Sequence, residues 1–215
     1  MTMLIAVKND SNAILLTADK RVTYSDVNGN ITGYSDDYKK TRVIVNKFIL
    51  SFAGRTLIAE SALNYINDND FKLLSMTENK DIRNFFREAF LKGKQAFEER
   101  FPGLAPTSTF LLGYISENKT TLLLGFSSDN NYEGNEYEAA IVVDAESEEQ
   151  ENRIREGAQL FIHNKIKENN GGFATFKDLA DVYFGAIKQV ENQKVGNTGT
   201  TLLLTLDGIE EFDHC

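Results

Sequence analysis

Residues Ala13 to Thr23 read A-I-L-L-T-A-D-K-R-V-T, and residues Tyr38 to Gly54 read Y-K-K-T-R-V-I-V-N-K-F-I-L-S-F-A-G. Between them lies a polar excursion, Tyr24 to Asp37. A β-branched, apolar run that stops at charged residues is a strand delivering side chains to a sheet end. The first run stops at Asp19 and Arg21. The second begins at Lys39 and Lys40 and closes on Ala53-Gly54. The T-L-I-A-E-S-A-L that follows reads as a helix, so Gly54 sits at a strand-to-helix junction where backbone N–H groups are free. Upstream, M-T-M-L-I-A-V-K places Thr2 at the start of a further strand. A threonine next to the N-terminus, an acid, a lysine and a free N–H are the parts of an acyl-transfer site.

The remaining chain alternates in blocks. Met3 to Lys8 and Ala13 to Ala18 form a hairpin across Asn9–Asn12, a turn-forming cluster. Asp26 to Asp37 reads as a loop or a ragged hairpin. Val43 to Val45 and Phe48 to Phe52 pair across Asn46-Lys47. Thr56 to Asn67 carries a helical apolar stripe. Ser75-x-x-Glu78 has the pattern of a capping box, opening a long helix whose Ile82, Phe85, Phe86, Ala89, Phe90, Gly93 and Phe97 face a core. Pro102-Gly103 ends that helix. Ser108 to Ser116, Thr120 to Phe126 and Tyr137 to Val143 are strands. Ser147-x-x-Gln150 and Thr175-x-x-Asp178 cap two more helices, the second running through Val190, and Thr200 to Leu206 is the closing strand. Hairpins, helices, hairpins and helices in that order predict an α+β fold of antiparallel sheets with helices outside.

Composition narrows the function. At 215 residues the chain is read as a single domain, 1–215, able to bury about 70% of its unfolded surface. A net charge of −9 and a pI near 4.8 argue against nucleic acid, which selects a basic face. No apolar run reaches the roughly 20 residues of a membrane span, and a signal-peptide pattern is absent from the N-terminus. The one cysteine, Cys215, permits no disulfide within the chain and fits a reducing cytoplasm. No cofactor or metal is expected: phosphate-cradling glycine motifs are absent, and two histidines with one cysteine are poor material for a zinc site.

The quoted stretches resemble the catalytic, β-type subunits of the proteasome core particle and their bacterial relatives, which are N-terminal nucleophile (Ntn) hydrolases. T-A-D-K-R-V-T is similar to the family's strand bearing its acid and arginine. Y-K-K is similar to the segment bearing its lysine, and S-F-A-G-R-T to its oxyanion loop. Lys40 precedes Gly54 by fourteen residues, the family's separation, which selects Lys40 over Lys39. Thr2 matches the nucleophile if the Asn9–Asn12 hairpin holds one or two extra residues; an ungapped reading puts Met3 there. The Thr2 reading is preferred because it places Ile5 and Val7 on the apolar face.

The resemblance implies a four-layer αββα sandwich of two antiparallel sheets. It further implies a threonine peptidase with Thr2, Asp19, Arg21, Lys40 and Gly54 catalytic and with Met1 removed to free the Thr2 amine. Val22, Tyr38, Phe52 and Thr56 fall on its specificity pocket. It implies a homo-oligomeric ring, a peptide or unfolded-protein substrate and an unfoldase partner of unknown identity. It also implies a serine after the strand Tyr137–Val143, and an aspartate and a serine before the last strand. Ser147, Val195 and Thr198 stand at those places. Two other readings compete with peptidase: a catalytically silent ring component or scaffold, and an amidase acting on a small molecule.

Overall fold

A computed structural model describes residues 2–9, 12–25, 31–145, 147–190 and 195–215. These form two five-stranded antiparallel sheets and a two-stranded ribbon. The first sheet contains β1 (Met3–Asn9), β2 (Ala13–Asp19), β10 (Ala139–Val143), β11 (Gly199–Thr205) and β12 (Gly208–His214), in the order β10-β1-β2-β11-β12. The second runs β5-β6-β7-β8-β9, from β5 (Thr41–Ile44) and β6 (Phe48–Gly54) through β7 (Ser108–Ile115) and β8 (Thr121–Ser127) to β9 (Asn135–Glu136). The ribbon pairs β3 (Val22–Ser25) with β4 (Ile31–Ser35).

Alternation along the strands sorts the core into three clusters. Leu4, Ala6, Ile14 and Leu16 of one sheet meet Ile49, Ala53, Leu111 and Leu123 of the other, which joins the sheets face to face. Phe48, Leu50 and Phe52, on the opposite face of β6, pack under α1 (Thr56–Asp68) and α3 (Asn79–Arg100). Met3, Ile5, Leu15 and Leu203 pack under α4 (Glu148–Glu168) and α5 (Phe176–Lys188). The α+β class and the outward placement of the helices agree with the expectation. The phenylalanine stripe of α3 is core, with Phe90 stacked on Phe110 at 3.8 Å between ring centres.

Several local expectations change. Ser75 does not open the long helix: it ends the short α2 (Asp70–Ser75), and its hydroxyl donates to the Lys72 carbonyl. Glu78 takes the cap position of α3 without a side-chain hydrogen bond. The polar excursion is the ragged hairpin β3–β4, whose register slips between Tyr24 and Ser25; residues 26–30 lie outside the described ones. The closing strand is two strands, because β12 returns along β11. The caps Ser147 and Thr175 occur as read: Ser147 Oγ accepts from the Gln150 N–H, and Thr175 and Asp178 form a reciprocal box. Of the Asn9–Asn12 turn, residues 10 and 11 lie outside the described set.

Candidate active site

The ends of β1, β2 and β6 and the segment entering β5 converge at one corner of the sheets. β1 pairs with β2 so that Leu4 faces Ala18 and the Met3 N–H reaches Asp19, which leaves Thr2, the residue before Met3, at the same corner. Lys40 enters from the second sheet, its carbonyl accepting from the Phe52 N–H. The Lys40 ammonium donates to Thr2 Oγ1 at 2.9 Å and to both Asp19 oxygens, at 3.1 and 3.0 Å. Only 4% of the Lys40 side chain and none of the Asp19 side chain is exposed.

A buried carboxylate needs its lone pairs filled. Besides Lys40, Asp19 accepts from three backbone N–H groups: Met3 at 3.1 Å, Arg21 at 3.1 Å and Gly196 at 3.3 Å. Burial pulls the Lys40 ammonium below the usual lysine range, and the Asp19 charge and hydrogen bonds oppose that pull. The lysine is thus held close to its acid and aimed at the threonine hydroxyl.

Arg21 serves Asp19 through its backbone. Its guanidinium instead grips Asp36 in a fork, Nε to Oδ1 at 2.6 Å and Nη2 to Oδ2 at 2.7 Å, and lies over the Tyr34 ring. That fork keeps the Asp36 carboxyl below its ordinary value. Thr198 Oγ1 donates to the Asp36 carbonyl, binding the segment before β11 to the same corner.

Gly54 has φ +95°, and a Cβ there would stand 2.3 Å from the Thr107 carbonyl oxygen. No other residue type fits this close approach. Gly54 lines a cleft of about 390 Å³ with Ser108, Ser127, Val143, Asp144 and Arg155. Of the positions on the implied specificity pocket, Tyr38 and Phe52 meet edge to face at 6.1 Å, and the Arg42 guanidinium lies 5.8 and 5.9 Å over their rings. Tyr38 Oη donates to Glu60 at 3.2 Å. Val22 opens β3 and Thr56 opens α1.

Ser147 is occupied as the cap of α4, and Val195 is buried in the cluster beneath α4 and α5. Sequence reasoning missed Asp36, Asp144 and Gly196. Asp36 had a signal: a turn-rich excursion that returns antiparallel must bring its far end back to Arg21, and Val22 indeed pairs with Ser35. Met1 lies outside the described residues.

The fold is shared with a solved protein, Anbu. The whole chain superposes on a Gly-1 mutant of Anbu from Hyphomicrobium sp. strain MC1, with a TM-score of 0.66 and 14% identity over 100% of this chain and 87% of that one. This corrects the expected resemblance to core-particle β-type subunits: the structural likeness found is to Anbu. At that identity the likeness establishes the fold alone. No protein-family model matches the chain, and neither does any curated protein. Among the described residues, no helix is long and apolar enough to cross a membrane.

Proposed function

We propose that the protein is a threonine peptidase whose nucleophile is the Thr2 hydroxyl, freed as the N-terminal residue when Met1 is removed. The observation that carries this reading is the 2.9 Å contact between Lys40 Nζ and Thr2 Oγ1, with Lys40 held by a buried Asp19. A threonine hydroxyl is a weak nucleophile and needs a base within hydrogen-bond reach. The α-amine of the same residue is that base, with an ordinary pKa of about 7.7–8.0. Lys40 favours the deprotonated hydroxyl, and Asp19 aims Lys40. As Oγ1 adds to the scissile carbonyl, the amine takes its proton and the Gly54 N–H receives the oxyanion, a donor type worth roughly 3–4 kcal/mol. The amine then protonates the leaving nitrogen, and water releases the acyl group by the reverse steps. The substrate is an extended peptide, drawn from unfolded protein into a homo-oligomeric ring in the cytoplasm. Val22, Tyr38, Phe52 and Thr56 shape the pocket beside the scissile bond.

A catalytically silent scaffold is the second reading. It is favoured by Ser147 serving as a helix cap and by Val195 lying in the core, where the resemblance implies polar partners.

A peptide epoxyketone separates the two. The Thr2 hydroxyl adds to the ketone and the Thr2 amine opens the epoxide, closing a ring that a nucleophile without a neighbouring free amine cannot close. We expect one adduct per chain on the N-terminal peptide of molecules lacking Met1. Molecules retaining Met1, and the Thr2→Ala variant, should give none by mass spectrometry. A Met1-free protein that forms no adduct and cleaves no peptide is the silent scaffold.

A further inference from the structure

Val143 pairs with Met3 in the β1–β10 ladder, so the next residue, Asp144, stands opposite Thr2. The ladder closes there, with the Asp144 N–H donating to the Thr2 carbonyl at 3.0 Å. A short side chain anchored in this way stays near the residue it faces. Asp144 lines the cleft that Gly54 and Ser108 also line, and its charge supports that of Lys40.

The other acids at this corner are already committed. Asp19 accepts from Lys40 and three backbone N–H groups, and Asp36 is forked by Arg21. From α4, Arg155 donates to the Ile141 carbonyl and to Asn152 and lies 3.9 Å from Glu151. Asp129, after β8, also lines the cleft. A free α-amine on Thr2 would add a second cation within covalent reach of a hydroxyl that already meets Lys40. Two ammonium groups so close repel each other unless a further carboxylate offsets them.

We propose that Asp144 is a positioning residue for the Thr2 α-amine, and that it sets the pH at which that amine gives up its proton. This rests on Thr2 being the mature N-terminus, the reading given above. Asp144 keeps the ammonium beside the nucleophile in the resting state, and the amine becomes a base only as pH rises past its midpoint.

The test uses protein released from a cleavable fusion so that Thr2 is the first residue, labelled with ¹⁵N-threonine, with the N-terminal nitrogen followed by NMR against pH. Asp144→Asn keeps the backbone N–H but removes the charge, and should lower the amine midpoint by roughly one pH unit. Asp144→Glu keeps the charge and should restore most of the wild-type midpoint. The acid limb of kcat/KM for a peptide substrate should move with the NMR midpoint. A midpoint unchanged or raised in Asp144→Asn overturns the assignment, since a purely structural role acts through the retained N–H. A shifted midpoint without any hydrolysis upholds Asp144 and refutes the peptidase reading instead.

Discussion

Lys40 is a cation almost without water, and the acid opposite it has none. Removing one member of a buried pair costs roughly 3–5 kcal/mol, because the survivor is left charged and unpaired. Asp19 would keep its Met3, Arg21 and Gly196 N–H donors, so we place Lys40→Ala at the low end of that range. Peptide hydrolysis should be lost as well. Lys39→Ala removes an exposed partner of Glu211 and should change stability by less than about 1 kcal/mol, with hydrolysis kept. Urea unfolding and peptide turnover on both variants check this; equal effects at the two positions would show that Lys40 has no special place. The ends of the apolar runs marked the neighbourhood of Thr2, Asp19, Lys40 and Gly54 in the sequence, since such ends gather at a sheet edge; the choice of Lys40 over Lys39 and of Thr2 over Met3 came from the resemblance and its spacing. The near-complete burial of Lys40 was not legible, since a lysine beside a lysine reads as a solvated charge. Asp144 and Gly196 were equally hidden: across more than a hundred residues, Asp144 meets Thr2 at the end of a strand ladder and Gly196 meets the Asp19 carboxylate through its backbone N–H.

At the scale of elements, β12 escapes a hydropathy reading because Glu210, Glu211 and Asp213 interrupt Ile209 and Phe212. As the outermost strand it is half solvated, and acids on an open edge discourage pairing with other chains. Its last residue, His214, is nonetheless buried and stacked on Phe184 of α5. Its Nδ1 lies 3.1 Å from Asp181, and its Nε2 lies 2.8 Å from Thr201 Oγ1, itself 2.8 Å from Thr17 Oγ1. Neutral histidine satisfies this chain, with Nδ1–H donating to Asp181 and Nε2 accepting from Thr201. Burial pulls the imidazole pKa below its usual value, against the opposing charge of Asp181. A histidine with a folded pKa below its unfolded one binds its proton more readily when unfolded. Its contribution is therefore complete above about pH 6.5 and is lost as pH falls from there toward the folded value. We expect the urea midpoint to drop between about pH 7.5 and pH 5.5, and His214→Gln to flatten part of that drop. Identical pH slopes in the two proteins would remove His214 from the account.

For the molecule as a whole, the peptidase reading proposed above makes the open cleft the feature that calls for an assembly. A monomeric peptidase with its nucleophile at a sheet corner would accept any exposed chain, whereas copies closing around a chamber admit only what enters it. The strand edges are poor candidates for the contacts between copies: β12 is acidic, and on β10 the Ile141 carbonyl is taken by Arg155. The helical faces are better, and Phe71 and Leu74 of α2, 62% and 65% exposed, lie three residues apart and so on one side of that helix. The sequence could not indicate this, because α2 is too short to give a periodic signal. We predict a homo-oligomer of six or more copies, held by repeated symmetric contacts. Since each copy carries a net charge of −9, association should tighten as salt screens the repulsion between copies. Sedimentation equilibrium at micromolar concentration should then return a several-fold multiple of 24.2 kDa, rising or holding with salt. The double variant Phe71→Glu, Leu74→Glu should move it toward the single-chain mass. A wild-type mass of one chain across the micromolar range would refute the assembly, and an unchanged oligomer in the double variant would move the contact to another face.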